Sequence, residues 1–255
     1  MLQTYFINDH IIRINEANEN GLNVDSYLIL GKQSAVVIDT LQDTTQLYEK
    51  IQSLTNLPLT VLLTHGHPDH AGKATQKFID NDVPVYMHPN DKDLLSSFTD
   101  APWQKQIHAL EDGMLFDLGG YALKTICCAG HTPGSVVFFN EKHSELFTGD
   151  AIGSGGFWMQ LDHCLPLHTY LENVEHLYDV VKSIPHLKLY FGHSEQAKQV
   201  PELQYMEDNI TATKMILDKK LVGEWVDMHI GHDTLHVRQA CFQQVYAYCY
   251  DPNNL

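Results

Sequence analysis

The most constraining feature of this chain is the run H-x-H-x-D-H between His65 and His70, which contains three imidazoles and one carboxylate. The apolar segment Val61-Leu62-Leu63 directly precedes it and predicts a buried strand that carries these side chains at its end. In an extended segment His65 and His67 point to the same side, as two ligands of one metal ion do. Asp69 and His70 follow where the chain turns into the next helix, and there they can face a second ion. Histidines clustered by chance in a polar loop rarely take this order behind a strand, so the run predicts a metal site.

Three further polar residues occur in a similar setting, each at the end of an apolar segment and beside a glycine. They are His131, Asp150 and His193. Glycine lets the backbone turn sharply and approach its neighbours closely, as a shared metal cavity at the ends of strands requires. A single Gly-His pair after a strand is more often part of an ordinary loop. These three residues therefore indicate a metal site only when they are considered together.

The charge balance argues against polyanionic partners. Lys and Arg number 16 against 32 Asp and Glu, which gives a formal net charge of −16 at pH 7. Such a field repels nucleic acids and anionic membrane surfaces, and two divalent ions would offset only part of it. Arg13 and Arg238 are the only arginines, which leaves few groups for bidentate binding of phosphate. We therefore expect a small-molecule substrate, with no nucleic acid and no membrane as partner.

The sequence predicts one domain. With 255 residues and 44% hydrophobic content it can form a substantial core, and no Pro-, Ser- or Gly-rich linker divides it. Strands and helices occur in two successive sets, which predicts two sheets packed between outer helices. We predict a single domain over residues 1–255, with a C-terminal helix and strand extension from about residue 201. The sequence leaves the oligomeric state open, and a homodimer is compatible with it.

The cysteines favour a reducing compartment. They are odd in number and show no C-x-x-C spacing, which is untypical of a disulfide framework. The cysteines are Cys127, Cys128, Cys164, Cys241 and Cys249. The first residues lack the basic and apolar regions of a signal peptide, and no run of about 18 apolar residues occurs. These features predict a cytoplasmic protein.

Together, the H-x-H-x-D-H run, His131, Asp150 and His193 resemble the ligand set of the metallo-β-lactamase-fold hydrolase superfamily, over the segment from Asp39 to His193. The resemblance implies an α/β fold, the αββα four-layer sandwich of two mixed β-sheets flanked by helices. It also implies a binuclear metal centre at the edge where the two sheets converge. Its ligand assignment gives one metal ion to His65, His67 and His131, the other to Asp69, His70 and His193, and a bridging position to Asp150.

The donor set indicates which ion is bound. Five neutral imidazoles and two carboxylates suit Zn²⁺ or a similar borderline ion better than Ca²⁺ or Mg²⁺, which prefer oxygen ligands. We therefore expect two Zn²⁺ ions, with iron or manganese as alternatives. The expected protein is an enzyme, a metallo-hydrolase that uses a metal-bridging hydroxide on a small ester, thioester, lactone or amide. Asp69 is the candidate catalytic residue, which would orient this hydroxide and relay its proton.

Two other functions fit the same ligands. A mononuclear iron oxidoreductase of the persulfide dioxygenase type would use two histidines and a carboxylate and leave positions open for O₂. A non-catalytic protein that binds or senses metal would keep the site without turnover. The resemblance leaves the subfamily unassigned, because glyoxalase II and the persulfide dioxygenases carry a glycine-cysteine-glycine-arginine pattern after the bridging aspartate. This chain has no Lys or Arg between Lys142 and Lys182, which argues against glutathione thioesters.

The segment after the predicted bridging aspartate is the candidate substrate-binding wall. Gly153 lies in a glycine cluster, and the apolar residues Phe157, Trp158 and Met159 follow it. Flexible and apolar residues in combination are typical of small-molecule pockets. The aromatic residues have an alternative interpretation as ordinary core packing beneath a loop.

Other candidate residues lie outside this segment. Trp103 is a candidate for a lid over the site, with an ordinary helix connection as the alternative. Tyr190 is a candidate by resemblance to the superfamily's lactonases, in which a nearby tyrosine assists the carbonyl oxygen. Asp39 is interpreted as a residue that either hydrogen-bonds a ligand histidine or caps a helix. The remaining histidines, among them His163 and His168, are interpreted as surface or hydrogen-bonded residues.

Overall fold

The computed structural model describes residues 2–17, 23–42, 44–98, 105–198, 202–230 and 233–255. The α-helices in these ranges are α1 (Leu47–Leu54), α2 (Ala74–Asp80), α3 (Lys92–Phe98), α4 (Leu167–Val181) and α5 (Leu203–Leu217). The strands of the first half are β1 (Leu2–Phe6), β2 (Ile11–Ala17), β3 (Asn23–Leu30), β4 (Ala35–Ile38), β5 (Leu59–Leu62), β6 (Val85–Met87) and β7 (His108–Ala109). Those of the second half are β8 (Leu115–Asp117), β9 (Ala122–Cys127), β10 (Val136–Asn140), β11 (Glu145–Gly149), β12 (Gly156–Met159), β13 (Lys188–Phe191), β14 (Glu224–Ile230), β15 (Asp233–Phe242) and β16 (Val245–Tyr250).

Two mixed sheets form the centre of the molecule. The first has seven strands in the order β1-β2-β3-β4-β5-β6-β7, antiparallel up to β4 and parallel from β4 to β7. The second has five strands in the order β13-β11-β10-β9-β8, with only the β11 and β13 pair parallel among them. Strands covered on both faces read as continuous apolar runs, and all five residues of β10 are indeed buried.

The two sheets pack face to face between outer helices. Tyr27 and Val36 of the first sheet and Phe138 and Phe147 of the second belong to one buried cluster between the sheets. A second cluster joins the opposite face of the first sheet to α1 and α2. A third joins the opposite face of the second sheet to α4 and α5. These four layers confirm the αββα sandwich that the sequence resemblance implies.

A third sheet lies beside this sandwich: β14, β15 and β16 belong to the C-terminal strand extension expected from about residue 201, whereas β12 was not predicted as a strand. Its four strands have the order β12-β16-β15-β14. β12 pairs in parallel with β16, so that Phe157 lies opposite Tyr248. The segment after Asp150, interpreted from sequence as a loop, is therefore partly a strand, because its partner lies far along the chain and leaves no local signal. In the described parts of the chain, no helix has the length and apolar character needed to cross a lipid bilayer.

Candidate metal centre

The predicted ligands converge at one edge of the two central sheets. The motif from His65 to His70 follows β5, and His193 follows β13. His131 lies in the loop after β9, and Asp150 directly follows β11. Because these strand ends lie side by side, residues separated by more than a hundred positions in the chain come within reach of one ion.

The first group consists of three buried histidines. His67 Nδ1 lies 2.9 Å from His65 Nε2 and 3.0 Å from His131 Nε2. Burial lowers the pKa of all three imidazoles, and repulsion from neighbouring histidines lowers the pKa of His65 and His67 further. The three rings are therefore neutral at pH 7, which is the form that binds a metal ion.

The second group combines two histidines with a carboxylate. Asp69 Oδ2 lies 3.4 Å from His193 Nε2 and 3.8 Å from His70 Nε2. Burial opposes protonation of these rings, but Asp150 and Asp69 outweigh it, so the pKa of His70 is raised and that of His193 is raised to about 10. The same contacts outweigh the effect of burial on Asp69 and lower its pKa. The two carboxylates thus stabilise a positive charge at this place, as they would stabilise a bound cation.

Asp150 lies between the two groups. Its Oδ2 is 3.2 Å from His193 Nε2, 3.5 Å from His70 Nε2 and 3.9 Å from His131 Nε2. Despite its burial, the adjacent histidines hold the pKa of Asp150 well below its usual range. This carboxylate is ionised and in reach of both groups.

The residues present fit a bound metal. Within the described chain, His70 Nε2 and Asp150 Oδ1 are buried without a hydrogen-bond partner. A buried polar atom without a partner costs free energy, and His70 Nε2 lies within 4 Å of the carboxylates of both Asp69 and Asp150. The ligand atoms within each of three overlapping groups all lie within 4.8 Å of one another. Imidazole and carboxylate donors at this spacing suit a borderline divalent ion.

Each ligand histidine is also fixed through its other ring nitrogen. Four of these nitrogens contact an oxygen atom: His65 Nδ1 at 3.0 Å from Thr64 Oγ1, His70 Nδ1 at 2.8 Å from Asp39 Oδ2, His131 Nδ1 at 2.7 Å from the Trp158 carbonyl, and His193 Nδ1 at 2.6 Å from the Asn23 carbonyl. The fifth, His67 Nε2, lies 2.6 Å from His163 Nε2. Such outer contacts fix the tautomer and orientation of a ligand ring.

Asp39 holds a ligand histidine and caps no helix. Besides His70, its carboxylate accepts hydrogen bonds from the amide and the hydroxyl of Thr64, at 2.7 and 2.8 Å. Its φ of 60° lies in the left-handed region, which bends the chain sharply after β4. Of the two roles that the sequence left open, the structure therefore supports the first.

Asp91 is a buried carboxylate that sequence reasoning missed. It accepts hydrogen bonds from the Gly66 amide at 2.8 Å, the Thr132 hydroxyl at 2.7 Å and the Gly134 amide at 2.6 Å. Burial raises its pKa, although these donors oppose the shift. Asp91 thus joins the loop of the motif to the loop of His131. The sequence offers no local signal for it, because the residues it connects are distant.

Two glycines allow the close approach that the sequence analysis expected. A Cβ on Gly192 would lie 2.5 Å from both Asp150 Oδ1 and His70 Cε1. Gly149 has a φ of 49°, and a Cβ there would lie 2.4 Å from Thr64 Oγ1. No side chain fits at either position without displacing the ligands or the residues that hold them.

A cavity of about 670 Å³ opens over the ligands. The candidate substrate residues Gly153, Phe157 and Trp158 line it. Part of its wall comes from the hairpin of β14 and β15, within the predicted C-terminal strand extension. The residues of this wall are His229, Ile230, Asp233 and Leu235, and Leu161, Asp162 and His163 also line the cavity.

Three other candidate substrate residues are placed differently. Met159 points to the opposite side of β12 from Trp158 and is buried in the core against α4 and α5, because side chains alternate along a strand. Tyr190 packs between the two central sheets, with its ring stacked 4.8 Å from that of Phe147. Neither is among the residues that line the cavity. Trp103 lies outside the described residues.

Sequence comparison identifies relatives of this chain. A profile of the family described as "Metallo-beta-lactamase superfamily" matches residues 20–193. The chain is 28% identical over 182 residues to the probable polyketide biosynthesis zinc-dependent hydrolase BaeB of Bacillus velezensis, an alignment that covers 70% of this chain and 75% of that protein. It is 30% identical over 138 residues to the hydroxyacylglutathione hydrolase GloC of Haemophilus influenzae, which covers 49% of this chain and 64% of that protein.

Solved structures share the fold. A metallo-beta-lactamase from Pontibacter korlensis superposes with a TM-score of 0.66 at 16% identity, covering 84% of this chain and 99% of that one. The metallo-beta-lactamase IND-7 superposes with a TM-score of 0.64 at 16% identity, covering 83% of this chain and 97% of that one. At this level of identity the similarity establishes the architecture alone.

Proposed function

Because this chain belongs to the metallo-beta-lactamase superfamily, we propose that it is a dinuclear zinc hydrolase of a small ester, thioester, lactone or amide. The observation that carries the proposal is the convergence of five histidines and two carboxylates, of which three histidines and both carboxylates line one cavity. Two ligand groups that share Asp150 support two ions rather than one. A single iron centre of two histidines and a carboxylate would leave several of these buried donors without a partner.

When bound, a pair of zinc ions supplies Lewis acidity at the substrate's carbonyl oxygen and lowers the pKa of water to about 7. The chain's own residues supply the rest. Asp69 is ionised because its pKa is lowered, and it lines the cavity, so it can orient an attacking water and accept its proton. Phe157 and Trp158 limit the access of bulk water to the reacting atoms.

The charge of the cavity supports a substrate without an anionic group. Among the described residues that line it, none is a lysine or an arginine, whereas Asp162 and Asp233 stand on its walls beyond the ligand carboxylates. An anionic substrate would therefore meet repulsion on the walls, with no cation there to pair with. The similarity to GloC makes a glutathione thioester the specific counter-hypothesis, since its glutathione part is anionic.

The test is hydrolysis by zinc-loaded protein of matched ester, thioester and lactone series whose acyl chains end in a neutral, a carboxylate or an ammonium group. We expect hydrolysis, with neutral and ammonium substrates preferred at least about ten-fold over the carboxylate ones, as unfavourable charge contacts predict. His67→Ala and Asp69→Ala should abolish turnover while the fold is retained, as checked by circular dichroism. His176→Ala, on the exposed face of α4, is the matched control.

Two results would contradict the proposal. Full activity of Asp69→Ala or His67→Ala with metal still bound would remove these residues from the mechanism. One iron per chain with thiol-dependent oxygen uptake would assign the protein to the dioxygenase class instead. Preference for a glutathione thioester would retain the hydrolase but reject the charge argument.

A further inference from the structure

We infer that His163 is a positioning residue of the metal centre: its Nε2 accepts the Nε2–H of His67 and so presents His67 Nδ1 to the ion. The inference rests on the proposed metal-dependent function. It concerns a histidine from the loop between β12 and α4, which the sequence analysis had interpreted as a surface or hydrogen-bonded residue. His163 lies outside the ligand groups formed by the described residues.

The two nitrogens of the His67 ring point in different directions. Its Nδ1 points at His65 Nε2 and His131 Nε2, the atoms with which it would share an ion. Its Nε2 points away from them, to His163 Nε2 at 2.6 Å, and the two rings are inclined at 68°. His163 therefore stands on the outer side of His67, where it can hold the ring without competing for the ion.

The position of the proton on the His67 ring determines what its outer contact must be. A neutral imidazole that binds an ion through Nδ1 has its proton on Nε2, and this proton needs an acceptor. The other four ligand histidines have an oxygen atom at the equivalent place. For His67 the corresponding contact is a ring nitrogen of His163. His163 also lines the cavity with its side chain.

The loop that carries His163 is itself fixed to the centre. The Leu165 amide donates to the Gly130 carbonyl at 2.8 Å, and Cys164 Sγ donates to the His131 carbonyl at 3.2 Å. Asn254 Nδ2 donates to the Cys164 carbonyl at 2.9 Å. The two residues that follow His163 are thus tied to the loop of a ligand, and Cys164 is also tied to the C-terminal segment. The position of His163 is determined before a metal binds, as a positioning residue requires.

The test compares His163→Leu, which has no acceptor, with His163→Gln, whose Oε1 can accept the same proton. His176→Leu, on the exposed face of α4, makes the identical chemical change away from the site. Zinc affinity is measured by competition with a chromophoric chelator, and ligand geometry by the visible spectrum of the Co²⁺-substituted protein. Thermal unfolding of the metal-free proteins reports any purely structural effect.

We expect His163→Leu to weaken one of the two zinc sites by about 10–100-fold and to change the Co²⁺ spectrum. His163→Gln should keep affinity within about three-fold of the original protein, and His176→Leu should match it. Wild-type affinity and spectrum in His163→Leu would overturn the inference, as would equal losses in the Leu and Gln variants, since the ring and not the acceptor would then matter. Failure of the unmodified protein to bind any metal would instead reject the proposed function.

Discussion

Single residues of this centre are fixed on two sides, one toward the ligand space and one toward a supporting group. The ligand positions could be predicted from sequence because each stands at the end of an apolar strand, mostly beside a glycine. The supporting groups could not. His67 meets His163 across 96 positions of the chain, and Gly66 meets Asp91 across 25. Contacts at such separation depend on tertiary packing, which periodicity and spacing do not encode.

Gly192→Ala tests how closely the ligands must approach one another. The added methyl group would lie 2.5 Å from Asp150 Oδ1 and from His70 Cε1, well inside van der Waals contact. We expect at least about a ten-fold loss of zinc affinity, because a ligand atom must shift to accommodate it. The measurement is chelator competition, with circular dichroism to verify the fold.

Gly156→Ala is the matched control for this substitution. The nearest atom to its added methyl group would be Gln196 Oε1 at 3.5 Å, an ordinary contact. It should leave zinc affinity unchanged. Equal affinities of the two variants and the original protein would show that the ligands have more room than the structure indicates.

At the scale of elements, the centre depends on strands that end together and on loops that are tied to one another. Long elements with clear apolar periodicity, such as α4, α5 and β10, agree with their sequence patterns. Short ones, such as α3, β7, β8 and β12, were not predicted. β7 and β8 have only two and three residues and few buried positions, and β12 owes its conformation to pairing with β16. The pairing of β12 with β16 matters for the site because it brings the C-terminal hairpin to the cavity.

Asp91→Ala tests the link between the two ligand loops. Its removal leaves two buried amides without their acceptor and leaves the Thr132 hydroxyl with Ser135 Oγ alone, so we expect unfolding to become easier by about 2–3 kcal/mol. Asp91→Asn should lower the free energy of unfolding by nearly as much as Asp91→Ala, because its NH₂ group would face one of these donors. Urea denaturation of the metal-free protein measures the effect, and zinc affinity should fall in parallel.

The exposed Asp9 provides the control for this prediction. Asp9→Ala removes the same charge at the surface and should change unfolding by less than about 0.5 kcal/mol. A similarly small effect of Asp91→Ala would mean that water replaces the carboxylate and that the loops are held by other contacts.

The molecule as a whole combines a family architecture with C-terminal strands that lie outside residues 20–193, the segment that the family profile matches. The αββα sandwich supplies the metal-ligand side of the cavity, and the third sheet supplies wall residues from β12 and from the hairpin of β14 and β15. The net charge of −16 agrees in sign with the acidic cavity walls. The sequence could indicate the floor, because its ligands follow a local pattern, whereas the wall arises from pairing between β12 and the C-terminal strands.

The most direct test of two metal ions per chain is anomalous X-ray scattering at the zinc edge from crystals of zinc-loaded protein. We predict two peaks per chain, one contacted by His65, His67 and His131 and the other by Asp69, His70 and His193, with Asp150 in contact with both. A single peak, or a peak that none of these seven side chains contacts, would contradict the dinuclear centre.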